Sequence, residues 1–147
     1  MRPVLFLDVD GVLNVYGLDG SLKVNTKRVG LVEIPQGTQA RLQVLLQRFD
    51  PYWATAWRGE AHPQLAAALG IPETPVWPHI AYDDFKYPKI LTAAGTRPWA
   101  WLDDKAEWEL DRLGAYPPAN GFVVSPIPVE GITDRVVTML LDFAGRC

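Results

Sequence analysis

Apolar and polar positions along the chain follow two rhythms. Val4–Leu7 is an unbroken apolar run, VLFL, the pattern of a strand buried on both faces. Residues 39–49 change period: Leu42, Leu45, Leu46 and Phe49 recur at i, i+3, i+4 and i+7, which predicts one apolar helix face, with Thr38 as its N-cap. PYWAT (51–55) is a second short β-prone run. AHPQLAAAL (61–69) predicts a helix stopped by Gly70. PVW (75–77) predicts a third, short strand. Pro88 and Gly95 bracket a helix with proline near its start and glycine past its end. PWAWL (98–102) predicts a fourth strand that runs into Asp103 and Asp104. Ala106, Leu110 and Leu113 make another helix face, closed by Gly114. FVV (122–124) predicts a fifth strand, and Thr133 caps a last helix that reaches Ala144.

Strands that alternate with helices predict an α/β fold, a Rossmann-like three-layer sandwich whose parallel sheet is covered on both faces. In such sheets ligands sit beyond the carboxyl ends of the strands. Three of those ends carry polar chemistry: Asp8 and Asp10, then Thr55, then Asp103 and Asp104. Residues 14–37 interrupt the alternation with four glycines and two β-like pieces. They predict a short β-hairpin flap after the first strand, too small to be a domain of its own.

The length of 147 residues fits one domain over 1–147, long enough to bury a core without disulfides. The one cysteine, Cys147, excludes an intrachain disulfide and gives no sign of an oxidising compartment. No apolar run is long enough to span a membrane, and the N-terminus lacks the pattern of a signal peptide, so the expected location is cytoplasmic. A net charge of −3 argues against a general nucleic-acid binder. The local cluster of Lys23, Lys27 and Arg28 in the flap is the exception. His62 and His79 show no metal-ligand spacing and read as structural or surface residues.

The acids pose the chemical question. Asp8 and Asp10 follow directly on a strand that reads as buried, and a buried carboxylate needs a partner. If the two acidic clusters share one sheet edge, four carboxylates converge, and they cannot all ionise without a compensating cation. A hard divalent ion answers this. Mg²⁺ suits it, since it takes one or two protein carboxylates and completes its shell with water and phosphate oxygens. It also screens an incoming phosphate from the acids and leaves one carboxylate free to attack.

The stretch DVDGVLN (8–14) resembles the first motif of the haloacid dehalogenase superfamily, DxDG[VT]L. A threonine after a strand, a lysine before a helix and Asp-Asp after another strand follow in a similar order, so the resemblance covers nearly the whole chain. The segments WATAW and WAWLDD are similar to a small bacterial branch whose relatives include a phosphatase-like domain associated with RNA repair proteins. The resemblance implies a sheet of order 5-4-1-2-3 with Asp8 on the central strand. It implies Asp8 as nucleophile and Asp10 as general acid and then base, with the Asp10 carbonyl on Mg²⁺. It implies Thr55 as a hydrogen-bond donor to the phosphoryl oxygens and Lys86 as the neutralising cation. Asp103 is implied as a direct or water-mediated metal ligand, with Asp104 as a ligand or its supporting partner. Lys89, three residues after Lys86, is the rival lysine. An acid two residues after the nucleophile favours phosphate esters over the dehalogenase and phosphonate chemistries of the superfamily.

The expected function is therefore Mg²⁺-dependent phosphate monoester hydrolysis through an aspartyl-phosphate. The connections after the first two strands are too short for a cap domain, which implies an open site suited to large substrates such as a phosphoprotein or a nucleic acid end. Trp57, as a stacking surface, and Arg58, as a phosphate contact, are candidate substrate-binding residues. With the flap cations they support a polynucleotide-end phosphatase as an alternative. A non-catalytic domain that keeps the fold is the second alternative. No obligate protein partner is evident.

Overall fold

The computed structural model describes residues 1–17 and 20–147. It is mixed α/β, with a four-stranded parallel sheet and a two-stranded antiparallel hairpin. β1 (Val4–Leu7) lies at the centre of the larger sheet. It pairs on one side with β4 (Asp50–Trp53) and on the other with β5 (Trp99–Leu102), which in turn pairs with β6 (Gly121–Val124). The smaller sheet is β2 (Leu22–Thr26) against β3 (Gly30–Ile34), within the stretch expected to form a flap. Residues 18 and 19 of that stretch lie outside the described residues.

The alternation of side chains along β1 builds the layers. Val4 and Phe6 enter a cluster with Tyr87 and Ile90 of α3 (Tyr87–Ala94) and with Ala106 and Leu110 of α4 (Ala106–Leu113). Leu5 and Leu7 face the opposite way, toward Leu42 and Leu45 of α1 (Thr38–Leu46), Leu65 and Leu69 of α2 (Ala61–Leu69), and Leu140 of α5 (Asp134–Gly145). All four residues of β1 are buried. At about 1.5–3 kcal/mol for each fully buried apolar side chain, this strand is firmly anchored.

Two expectations are corrected. The sheet has four strands, in the order β4-β1-β5-β6, and not five. The stretch 75–77 forms no strand, and only a single parallel bridge, Trp53 to His79, marks the place where a further strand would pair. Pro75 and Pro78 have no N–H to give a ladder, so the apolar run cannot extend into one. Thr38 is likewise not the N-cap of α1. Gly37 takes that position at φ 89°, and the Thr38 hydroxyl is buried without a hydrogen-bond partner among the described residues. Thr133 does cap α5, its hydroxyl accepting the Val136 N–H at 3.3 Å. Among the described residues no helix is long and apolar enough to cross a membrane.

Candidate active site

The register of the central strands brings the two acidic clusters together. Leu7 is aligned with Leu102, so Asp8 and Asp103 leave β1 and β5 side by side. The Asp8 N–H donates to the Leu102 carbonyl at 3.1 Å, and the Asp103 N–H to the Val124 carbonyl at 3.2 Å. Carboxylate oxygens of Asp8, Asp103 and Asp104 all lie within 4.8 Å of one another. Asp8 and Asp103 are 8% and 2% exposed, while Asp104 is half-buried.

One ammonium sits among these acids. Lys86 Nζ is 2.6 Å from Asp103 Oδ2 and 3.3 Å from Asp8 Oδ2. It also lies 5.4 Å from the centre of the Tyr82 ring. Lys86 precedes α3, and Glu109 of α4 holds it there: the Glu109 carboxylate accepts the N–H groups of Lys86 and Tyr87 at 3.0 and 2.7 Å. Lys89 is exposed, so Lys86 is the lysine that the fold brings to the acids.

One ammonium faces three carboxyl groups. Burial, and then the charge of Asp103, push the Asp8 carboxyl up to about 7, and Lys86 only partly opposes this. Burial followed by Asp103 also raises Asp104. For Lys86, burial alone favours the neutral form, but the charges of Asp8 and then Asp103 outweigh it and hold the ammonium protonated. The site thus has one ammonium, Lys86, that the acids hold protonated, and two carboxyl groups, Asp8 and Asp104, that burial disfavours as anions. An all-oxygen donor set with surplus negative charge fits a hard divalent ion such as Mg²⁺.

Asp10 is held apart from this cluster. Its Oδ1 accepts the Asn14 side-chain amide at 2.9 Å, and its Oδ2 accepts the Trp57 indole N–H at 3.1 Å. The turn that allows this is tight: the Val9 carbonyl accepts the N–H groups of Val12, Leu13 and Asn14. Gly11 stands at φ 80°, and a Cβ there would lie 2.5 Å from the Asp104 carboxyl carbon. A side chain there is strained by the backbone conformation and would push the Asp104 carboxyl aside.

A cleft of about 430 Å³ opens over Asp8, Asp10, Lys86, Asp103 and Asp104, with the rings of Tyr16, Tyr82 and Trp108 in its walls. Thr55 follows β4 and is buried, with its hydroxyl accepting the Trp57 N–H at 3.3 Å. Its neighbour Ala56 lines the cleft, and Thr55 itself does not. Trp57 is 1% exposed, so its ring offers no face for stacking on a substrate, and its polar edge belongs to Asp10. The Arg58 guanidinium donates to the Tyr82 carbonyl at 2.8 Å, bracing the cleft wall from behind. The flap cations do not line the cleft either. Arg28 donates to the Ala56 carbonyl at 2.9 Å, Lys23 is paired in register with Glu33, and Lys27 borders a separate hollow with Glu60 and Gln64. His62 is a packing residue: its Nδ1 accepts N–H groups from Trp53 and Trp77, and its Nε2 lies 2.9 Å from the Pro72 carbonyl. His79 is exposed.

Sequence reading missed Asn14 and Glu109. Asn14 stands within DVDGVLN, four residues after Asp10, the spacing at which a short turn brings an amide back to a carboxylate. Glu109 carried no such signal, since the backbone it caps is more than twenty residues away. The chain matches no protein-family model and no curated protein sequence.

Proposed function

We propose that this protein is a Mg²⁺-dependent phosphohydrolase that cleaves phosphate monoesters through an aspartyl-phosphate on Asp8, in keeping with its resemblance to the haloacid dehalogenase superfamily. The observation that carries the reading is the convergence of Asp8, Asp103 and Asp104 on one point, with Lys86 paired to Asp8 and Asp103. Mg²⁺ would be held by carboxylates of that trio, and when bound it neutralises phosphoryl and carboxylate charge. The residues divide the remaining work. Asp8 attacks phosphorus as the bond to the leaving oxygen breaks, and Asp10 gives that oxygen its proton. Asp10 then takes a proton from water, whose oxygen displaces Asp8 from phosphorus and restores the free carboxylate. Lys86 stabilises charge on the phosphoryl group throughout, which is the main demand of phosphoryl transfer. The alternative reading as a polynucleotide-end phosphatase loses Trp57 as a stacking surface, because that ring is buried and its N–H is given to Asp10, while Arg28, Arg58, Lys23 and Lys27 remain exposed.

The test is p-nitrophenyl phosphate hydrolysis, and after it a panel of phosphate esters, with Mg²⁺ or a chelator, for the wild type and Asp8→Asn. Hydrolysis is expected only for the wild type with Mg²⁺. Activity that survives both chelation and Asp8→Asn would sink the mechanism.

A further inference from the structure

Both carboxylate oxygens of Asp10 accept hydrogen bonds from uncharged side-chain donors. Asn14 Nδ2 is 2.9 Å from Oδ1 and Trp57 Nε1 is 3.1 Å from Oδ2. Lys86, which pairs with Asp8 and Asp103, makes no ion pair with Asp10. The two donors approach opposite oxygens, so together they fix the plane of the carboxyl group as neither does alone. Each oxygen keeps a second lone pair, and Asp10 lines the cleft, where such a lone pair can carry a proton to a leaving group.

Both donors are themselves braced by the β2–β3 hairpin. At its base, Asn14 Oδ1 accepts the Glu33 N–H at 2.8 Å, and the Val15 N–H donates to the Glu33 carbonyl at 2.7 Å. At its tip, the Arg28 guanidinium lies 5.4 Å from the centre of the Trp57 ring and donates to the Ala56 carbonyl, next to Trp57. None of the described residues of β2 and β3 lines the cleft. The hairpin therefore acts on the site from behind, through the two donors, and not as a cover over its mouth.

We infer that Asn14 and Trp57 are positioning residues for leaving-group protonation, clamping Asp10 in the orientation in which it delivers its proton, with the hairpin as their support. The inference rests on the phosphohydrolase reading. In the step concerned, the Asp8 oxygen–phosphorus bond forms and the bond from phosphorus to the leaving oxygen breaks. The Asp10 proton moves to that oxygen and leaves Asp10 as a carboxylate. A poor leaving group needs the proton, whereas an acidic phenol departs without it.

The test compares kcat/KM for phenyl phosphate and 2,4-dinitrophenyl phosphate, in Mg²⁺, for the wild type, Asp10→Asn, Trp57→Phe and Asn14→Ala. Trp57→Phe keeps a large ring in the core and removes the N–H, and Asn14→Ala tests the other donor should Trp57→Phe fold poorly. General acid catalysis contributes on the order of 10²–10⁴-fold, so each positioning variant is expected to lose roughly tenfold or more on phenyl phosphate. On dinitrophenyl phosphate the loss is expected to stay below about threefold, the same selectivity as Asp10→Asn shows in stronger form. Equal losses on both esters, or none on either, would overturn the inference while leaving Asp8 chemistry intact. Activity retained by Asp8→Asn would overturn the phosphohydrolase reading itself, so the two failures are distinguishable.

Discussion

Mg²⁺ should expel a proton as it enters this site, and the amount follows from Asp8. Its carboxyl is held at about 7 by burial and by Asp103 in the metal-free protein. At pH 6 it is roughly nine-tenths protonated, at pH 7 about half, and at pH 8 roughly one-tenth. A carboxylate ligand binds metal only when ionised, so Mg²⁺ binding should release about 0.9, 0.5 and 0.1 proton at those three values. Apparent affinity should rise roughly tenfold between pH 6 and 8. Calorimetric titration with Mg²⁺ in paired buffers of different ionisation enthalpy measures the release directly. The Asp8→Asn variant supplies the control, since its amide has no proton to lose. Tight binding at pH 6 without proton release would refute the placement of Asp8 beside the ion. Release that persists undiminished in Asp8→Asn would refute it equally, by pointing to another acid. The same shift sets the pH dependence of metal-free stability. The folded-state value lies above the ordinary 3.8, so the native protein holds a proton that the unfolded chain has lost. The contribution of Asp8 is therefore fully present below pH about 4 and fades as pH rises to about 7, by roughly 4 kcal/mol at most. Saturating Mg²⁺ should cancel that slope, because the metal-bound native protein and the unfolded chain then both lack the proton.

Further expectations follow from single contacts. Lys86→Met removes the one cation facing Asp8 and Asp103. In urea melts without Mg²⁺ it should destabilise by roughly 3–5 kcal/mol at pH 8 and by less at pH 5, where Asp8 is protonated; an equal loss at both would contradict the charge balance. Gly11→Ala places a Cβ against the Asp104 carboxyl, so Mg²⁺ affinity should fall together with thermal stability, and unchanged Mg²⁺ binding by calorimetry would count against Asp104 as part of the metal site. Glu109→Gln leaves one of two buried N–H groups facing a donor. It should cost about 1–3 kcal/mol in thermal melts and weaken activity through a displaced Lys86.

What the sequence made legible was the chemistry that acts locally. Gly70 and Gly114 end α2 and α4 in left-handed conformations, and Thr133 caps α5, because those interactions involve residues within one turn. The meeting of Asp8 with Asp103 was legible for a different reason, since both follow apolar strands of a sheet whose active edge is fixed by topology. The failures are equally physical. Val76 and Trp77 suggested a strand by apolar character, while the flanking prolines removed the donors a ladder needs. Trp57 suggested an exposed ring. Its burial depends on packing with residues distant in sequence, and its indole N–H reaches an acid 47 residues earlier. No window of neighbouring residues contains that contact. The choice between Lys86 and Lys89 was similarly closed by Glu109, a residue from the following helix.

The missing third strand has a consequence for how the molecule meets copies of itself. β4 is the outer strand on that side of the sheet, and an outer strand offers its free backbone to any other extended chain. The N–H groups of Asp50 and Ala54 point inward, to the carbonyls of Pro3 and Leu7. Those facing outward belong to positions 51 and 53. Pro51 has no N–H, and the Trp53 N–H is already taken by the Pro78 carbonyl at 2.8 Å. Along this margin no backbone donor is left to template the addition of a foreign strand. The prolines that stop the sheet from growing within the chain thus also leave this edge without the donors that strand addition between chains would use.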